Sequence, residues 1–190
     1  CIPKKFLVYA SHFQHEFEDA AGYGWTVGES SFDWSKMVAA KSEELDRLEG
    51  IYRRLLKDSG VTAIDGRGAL AGANTVEIGG ERLSADTILV ATGGWPVLPE
   101  IPGAELAISS NEAFDLAELP ERIVIVGGGY IACEFAGIFN GLGAEVVQLY
   151  RSDMILRGFD MDVREVCCDE MRKTGVDVRL NENAVKLEKS

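Results

Sequence analysis

Arg122-Ile123-Val124-Ile125-Val126-Gly127-Gly128-Gly129-Tyr130-Ile131-Ala132 is a bounded apolar run that breaks at once into glycines. Beyond it, Ile131, Phe135, Ile138 and Leu142 recur at helical spacing, and Ala144-Glu145-Val146-Val147-Gln148-Leu149-Tyr150 reads as a second strand. Strand, glycine turn, helix and strand in this order are the context in which a G-x-G-x-x-A match carries weight. The alternative, a plain tight turn, lacks a reason for both flanking strands.

Each small residue has a physical task in that reading. Gly127 turns the chain sharply out of the strand, and Gly129 leaves room for backbone to approach a pyrophosphate at the helix N-terminus. Ala132 and Ala136 let the helix lie close on the sheet. An NAD site wants a carboxylate about 20 residues past the glycines, on the ribose 2′-OH. Tyr150 and Arg151 stand there instead, with Arg157 further on. Two guanidiniums suit a 2′-phosphate, which they grip through forked, charge-assisted hydrogen bonds. The competing reading makes them solvated surface arginines.

Outside that stretch, the composition bounds the answer. The chain has 190 residues, 46% apolar and 26% charged, enough for one domain or two small ones. Its net charge of −12 argues against nucleic acid or an anionic membrane surface as a partner. There is no run long enough for a membrane span and no signal-peptide pattern at the start. The 4 cysteines, Cys1, Cys133, Cys167 and Cys168, form neither a disulfide framework nor a metal-ligand spacing. A reducing cytoplasm fits, with the last three as small buried hydrophobes.

From the beginning, Cys1-Ile2-Pro3-Lys4-Lys5 leads into a helix whose apolar face is Phe6, Ala10, Phe13, Phe17 and Ala20. A thiol at a helix start beside two lysines has a lowered pKa and reacts readily; an incidental terminal cysteine is the equal alternative. A chain opening on Cys1 reads as a piece of a longer one. His12 and His15 lie off the apolar face and are expected in solvent. A second helix, capped by Asp33, carries a stripe of Met37/Val38, Leu45, Leu48, Ile51/Tyr52 and Leu55/Leu56, a Glu49–Arg53 pair, and a stop at Gly60. Short strands are expected at 61–65, 68–71, 75–78 and 87–90, with a hairpin turn at Gly79-Gly80. Residues 95–120, punctuated by Pro96, Pro99, Pro102 and Pro120, read as a connector. A third helix over 162–174 and strands at 176–180 and 184–187 complete the pattern.

Cys1-Ile2-Pro3-Lys4-Lys5, Ala91-Thr92-Gly93-Gly94-Trp95-Pro96, the glycine fingerprint with Glu134, and Arg151 to Arg157 running into Gly158-Phe159-Asp160 occur in that order. Together they resemble the middle of the flavin-dependent pyridine nucleotide–disulfide oxidoreductases, in the glutathione reductase branch. The likeness covers essentially the whole chain. Lipoamide dehydrogenases, close relatives, usually carry an acidic residue where Tyr150 stands.

The resemblance implies a set of roles. Cys1 would be the flavin-proximal member of a redox-active cysteine pair. Lys4 would sit beside flavin N5, with Glu134 as its ion-pair partner at the nicotinamide. Gly68, Thr92 and Gly93 would touch FAD, and Tyr130 would cover the nicotinamide pocket. Gly127, Gly129, Ile131, Arg151 and Arg157 would contact NADPH, and Tyr52 would line the glutathione site. Ser152 departs from relatives that carry His there. The implied activity is electron transfer from NADPH through FAD to glutathione disulfide in a homodimer. The first cysteine of the pair, the N-terminal glycine fingerprint and a C-terminal domain with its His–Glu acid are missing, so these residues alone are expected to be inactive.

The fold expected is α/β: residues 1–94 as part of an FAD-binding domain of helices and a β-meander, 95–120 as a linker, and 121–190 as the first part of a Rossmann-type NADPH-binding domain. Two other functions stand beside the reductase. One is an NADPH-binding module without turnover, and the other is a related disulfide reductase of the trypanothione type.

Overall fold

A computed structural model describes residues 2–189; the terminal thiol of Cys1 lies outside them. In chain order the elements are α1 (Ile2–Asp19), α2 (Trp34–Asp58), β1 (Ala69–Gly72), β2 (Thr75–Ile78), β3 (Glu81–Ser84), the short α3 (Ser110–Ala113), β4 (Arg122–Val126), α4 (Tyr130–Gly141), β5 (Glu145–Tyr150), α5 (Met161–Lys173) and β6 (Asp177–Leu180). They group into two compact units. One takes the chain up to Leu45 and again from Pro96; the other is Asp46–Trp95.

In the first unit, β4, β5 and β6 form a parallel sheet in that order, with Val124 opposite Val147 and Leu149 opposite Arg179. Parallel neighbours require crossovers, and α4 and α5 supply them. The core lies between helices and sheet. Phe139 stacks on Trp34 with centroids 6.1 Å apart and on Phe135 at 6.0 Å, while Ile138, Val146, Ile155 and Val178 fill the space around them. Each such side chain contributes about 1.5–3 kcal/mol by leaving water. Trp34 also donates its indole N–H to the Leu116 carbonyl, and the buried Lys41 ammonium donates to the Phe114 carbonyl and pairs with Asp115. These bonds fasten the first turns of α2 to the segment after α3.

Helix α1 buries a different stripe from the one its aromatics suggest. Lys4, Leu7 and Ser11 face inward, whereas Phe13 is 56% and Phe17 is 42% exposed. The reason is the partner. A Cβ on Gly141 of α4 would stand only 2.7 Å from the Ser11 carbonyl oxygen, so the helices meet backbone to backbone where only small residues fit. The Ser11 hydroxyl is satisfied by donating to the Val8 carbonyl at 2.8 Å. Phe13 and Phe17 instead lie near each other on the outer side, with centroids 6.0 Å apart.

The second unit holds the rest of α2 and the antiparallel meander β1-β2-β3. None of its described residues is buried, so ladder hydrogen bonds and turn chemistry hold it. Gly79 and Gly80 both take positive φ, 59° and 87°, as a two-residue hairpin turn demands. Gly60, at φ 73°, ends α2, and Val61 N–H donates back to the Leu56 carbonyl. Arg53 bridges Glu49 and Asp65, which raises its pKa and lowers that of Asp65. At the start of α2, Asp33 accepts from the Lys36 N–H at 3.1 Å, as a capping residue should.

Several expected elements differ. Residues 61–65, 87–90 and 184–187 are not strands, because an extended segment becomes one only when a neighbour completes its ladder. Leu187 does donate one bond, to the Pro102 carbonyl. The unexpected strand, Glu81–Ser84, is exposed on both faces and so lacks the apolar alternation that would betray it. The α2 stripe is buried only at Trp34, Met37 and Lys41; Tyr52, Leu55 and Leu56 are exposed. Among the described residues, no helix is long and apolar enough to cross a membrane.

Candidate functional site

The glycine turn joins β4 to α4, and every carbonyl in it is spoken for. Gly127 N–H continues the sheet by donating to Leu149 at 2.9 Å, and its carbonyl accepts from the Gln148 amide at 2.9 Å. The Gly128 carbonyl accepts from Leu156 N–H, and that of Gly129 accepts from Cys133 N–H. With the oxygens held inward, the open N–H groups of the first turn of α4 and its positive dipole end face the turn's outer side.

Side chains are excluded from the turn for distinct reasons. Gly127 has φ 149° and packs on Ala132. A Cβ on buried Gly128 would meet the Tyr150 ring at 2.5 Å. Gly129, the N-cap of α4, has nothing within 4 Å of where a Cβ would be, which leaves the space a diphosphate needs. The residues present therefore fit a bound dinucleotide.

Two arginines follow β5. Arg151 and Arg157 are exposed, and neither makes an ion pair among the described residues. The chain carrying them is fixed from several sides. Glu182 N–H donates to the Tyr150 carbonyl and Asn181 N–H to that of Ser152, each at 3.1 Å, so the end of β6 holds the backbone on either side of Arg151.

On the first turn of α4, the Lys4 ammonium pairs with Glu134 and lies 4.6 Å from the centre of the Tyr130 ring. Tyr130 and Glu134 are four apart on one helix face, the spacing that lets both reach one cation. Lys4 is buried, Glu134 partly exposed, and Tyr130 and Ile131 are exposed beside the turn. The structure thus brings together Lys4, Gly127, Gly129, Tyr130, Ile131 and Glu134.

Gly68, Thr92, Gly93 and Tyr52 belong to the second unit, where all are exposed. Gly93 has φ 71° and open space at its Cβ position, so a group can approach its backbone. Burial pushes up the pKa of the Cys133, Cys167 and Cys168 thiols, which keeps them protonated and unreactive. His12 and His15 are exposed.

Sequence reasoning missed Gln148. It is fully buried, donates to the Gly127 carbonyl and to the Cys133 sulfur, and among the described residues its own oxygen has no partner. An amide set between Val146-Val147 and Leu149-Tyr150 was the available signal.

This is the site of a dinucleotide-binding α/β protein with a lysine–carboxylate pair beside the cofactor turn. The chain belongs to the pyridine nucleotide-disulphide oxidoreductases, the family that matches residues 1–190, and it has their FAD- and NADPH-binding architecture. It is 52% identical over 189 residues to the glutathione reductase of Burkholderia cepacia, covering 100% of this chain and 42% of that protein. It is 49% identical over 191 residues to the chloroplastic/mitochondrial glutathione reductase of Pisum sativum, covering 100% and 35%. Trypanothione reductase of Trypanosoma congolense is 39% identical over 203 residues, with 99% and 41% covered. Among solved structures, the HOCl-induced flavoprotein disulfide reductase RclA from Escherichia coli superposes with a TM-score of 0.80 at 28% identity, over 98% of this chain and 40% of that one. The chain therefore spans no more than 42% of the length of any of these relatives.

Proposed function

We propose that these residues belong to an NADPH- and FAD-dependent glutathione-disulfide reductase. The observation that carries this reading is the Lys4–Glu134 pair against Tyr130, on the first turn of the helix that leaves the glycine turn. In that reading, residues 1–94 contribute to the FAD-binding domain, 95–120 link, and 121–190 begin the NADPH-binding domain. The parent is a cytoplasmic homodimer acting on glutathione disulfide, and Tyr52 lines the substrate site; identity to glutathione reductases above that to trypanothione reductase supports the substrate.

Bound cofactors would supply hydride transfer and electron relay to a disulfide. The chain's own residues orient and shield. Arg151 and Arg157 grip the 2′-phosphate, and the N-terminus of α4 faces the diphosphate. Tyr130 covers the nicotinamide pocket and keeps water out. Glu134 holds the Lys4 ammonium in place through their ion pair, and Lys4, Gly68, Thr92 and Gly93 would contact FAD when it is bound. Cys1 would contribute one thiol of the redox-active pair.

The test is titration of the chain with NADPH and with NADH. The expected result is a preference for NADPH that falls at least about tenfold in Arg151→Ala/Arg157→Ala, the scale of one lost charge-assisted bond. A preference that survives the double substitution removes the 2′-phosphate assignment.

A further inference from the structure

The backbone ahead of Arg157 is held in an uncommon conformation by a third arginine. Arg164, in the first turns of α5, sends Nε to the Ile155 carbonyl at 2.7 Å and a terminal nitrogen to the Met154 carbonyl at 2.8 Å. The next peptide N–H, that of Leu156, donates to the Gly128 carbonyl. The Ile155–Leu156 peptide is thus pinned at both ends, its oxygen by a guanidinium and its N–H by the glycine turn. Leu156 itself lies in the left-handed region at φ 56°, which a branched side chain adopts only when its surroundings impose it. Phe159 N–H then closes back on the Leu156 carbonyl at 3.0 Å, so Arg157 sits within a short closed loop.

We infer that Arg164 is a positioning residue for nucleotide discrimination: it touches no ligand, but fixes the Met154–Leu156 backbone so that Arg157 is preset against the 2′-phosphate. A forked donor is needed, because two successive carbonyls must be held at once. Ile155 is fully buried and Leu156 nearly so, so these carbonyls face the guanidinium from inside the packed loop. A freed loop would sample other backbone states and spend binding energy on being ordered.

This inference rests on the 2′-phosphate reading above, and the experiment separates the two. Binding of 2′,5′-ADP and of 5′-AMP to the chain is measured by calorimetry for the native sequence, Arg151→Ala/Arg157→Ala, Arg164→Met and Arg164→Lys. Arg164→Lys keeps the stem and charge but not the fork, and serves where Arg164→Met does not fold. The expected result is about a tenfold loss for 2′,5′-ADP in either Arg164 variant, with 5′-AMP changed less than about twofold. Hydrogen exchange should rise at Leu156 while β5 amides stay protected. Equal losses for both nucleotides, or no loss, overturn the positioning role. A native chain that does not prefer 2′,5′-ADP overturns the underlying 2′-phosphate reading instead.

Discussion

The Lys4 ammonium, on α1, is neutralised by Glu134 of α4 and lies 4.6 Å from the centre of the Tyr130 ring. Burying an ammonium is costly unless a counter-charge accompanies it. Glu134→Ala should therefore cost about 1–2 kcal/mol, less than the 3–5 of a fully buried pair, since this carboxylate remains partly in water. Lys4→Met in the same chain should recover most of that loss. Urea unfolding of the single and double variants checks it.

Gly128→Ala should destabilise by about 1–3 kcal/mol through overpacking. The new methyl would lie 2.5 Å from the Tyr150 ring, which is wedged between strand and turn. Shortening that ring, as Tyr150→Leu in the Gly128→Ala background, should restore part of the stability. Thermal unfolding of the pair decides it.

Gly141→Ala should also destabilise, by a similar about 1–3 kcal/mol. Here the obstacle is the Ser11 main-chain oxygen at 2.7 Å. Ser11→Gly removes the Ser11 Cβ at 3.0 Å but not that oxygen, so it should rescue less than Tyr150→Leu does in the Gly128 case. The two double variants measured side by side distinguish side-chain from backbone contact.

The buried thiols make stability depend on alkaline pH. Burial raises the pKa of Cys133 and Cys168 above the ordinary 9.0, so the unfolded chain loses these protons first. Their contribution is complete below about 9 and declines as pH rises from there through the raised folded values. A Cys133→Ala/Cys168→Ala chain should show a shallower fall in Tm above that pH than the native one. In the folded chain at neutral pH, iodoacetamide should label both thiols far more slowly than after unfolding.

The strand–turn–helix–strand unit was legible because its signals are local: glycines where the backbone must turn or be approached, small residues where the helix meets the sheet. Asp33, Gly60 and Gly79-Gly80 were readable for the same reason. The inner face of α1 was not, since Gly141 on another helix chooses it and lets a serine outrank two phenylalanines. The extended residues 61–65 and 87–90 carry strand-like side chains, but pairing depends on neighbours that composition does not reveal. Of the site, the Lys4–Glu134 encounter followed from family likeness alone, across more than half the chain. Arg164 left no trace in the sequence because its work is done on carbonyls, which no side-chain pattern marks; Gln148 left only the amide itself, set among apolar strand residues.

The ties from Asn181 and Glu182 to the Ser152 and Tyr150 carbonyls bear on engineering. Residues 150–158, with Arg151 and Arg157, do not form a segment that can be moved as a self-sufficient cassette. The grafted segment would arrive without the β6 end that braces one arginine and without the glycine oxygen and α5 guanidinium that brace the other. A recipient scaffold would need all of those donors and acceptors already at matching positions, so the transferable unit is the whole β4-to-β6 crossover.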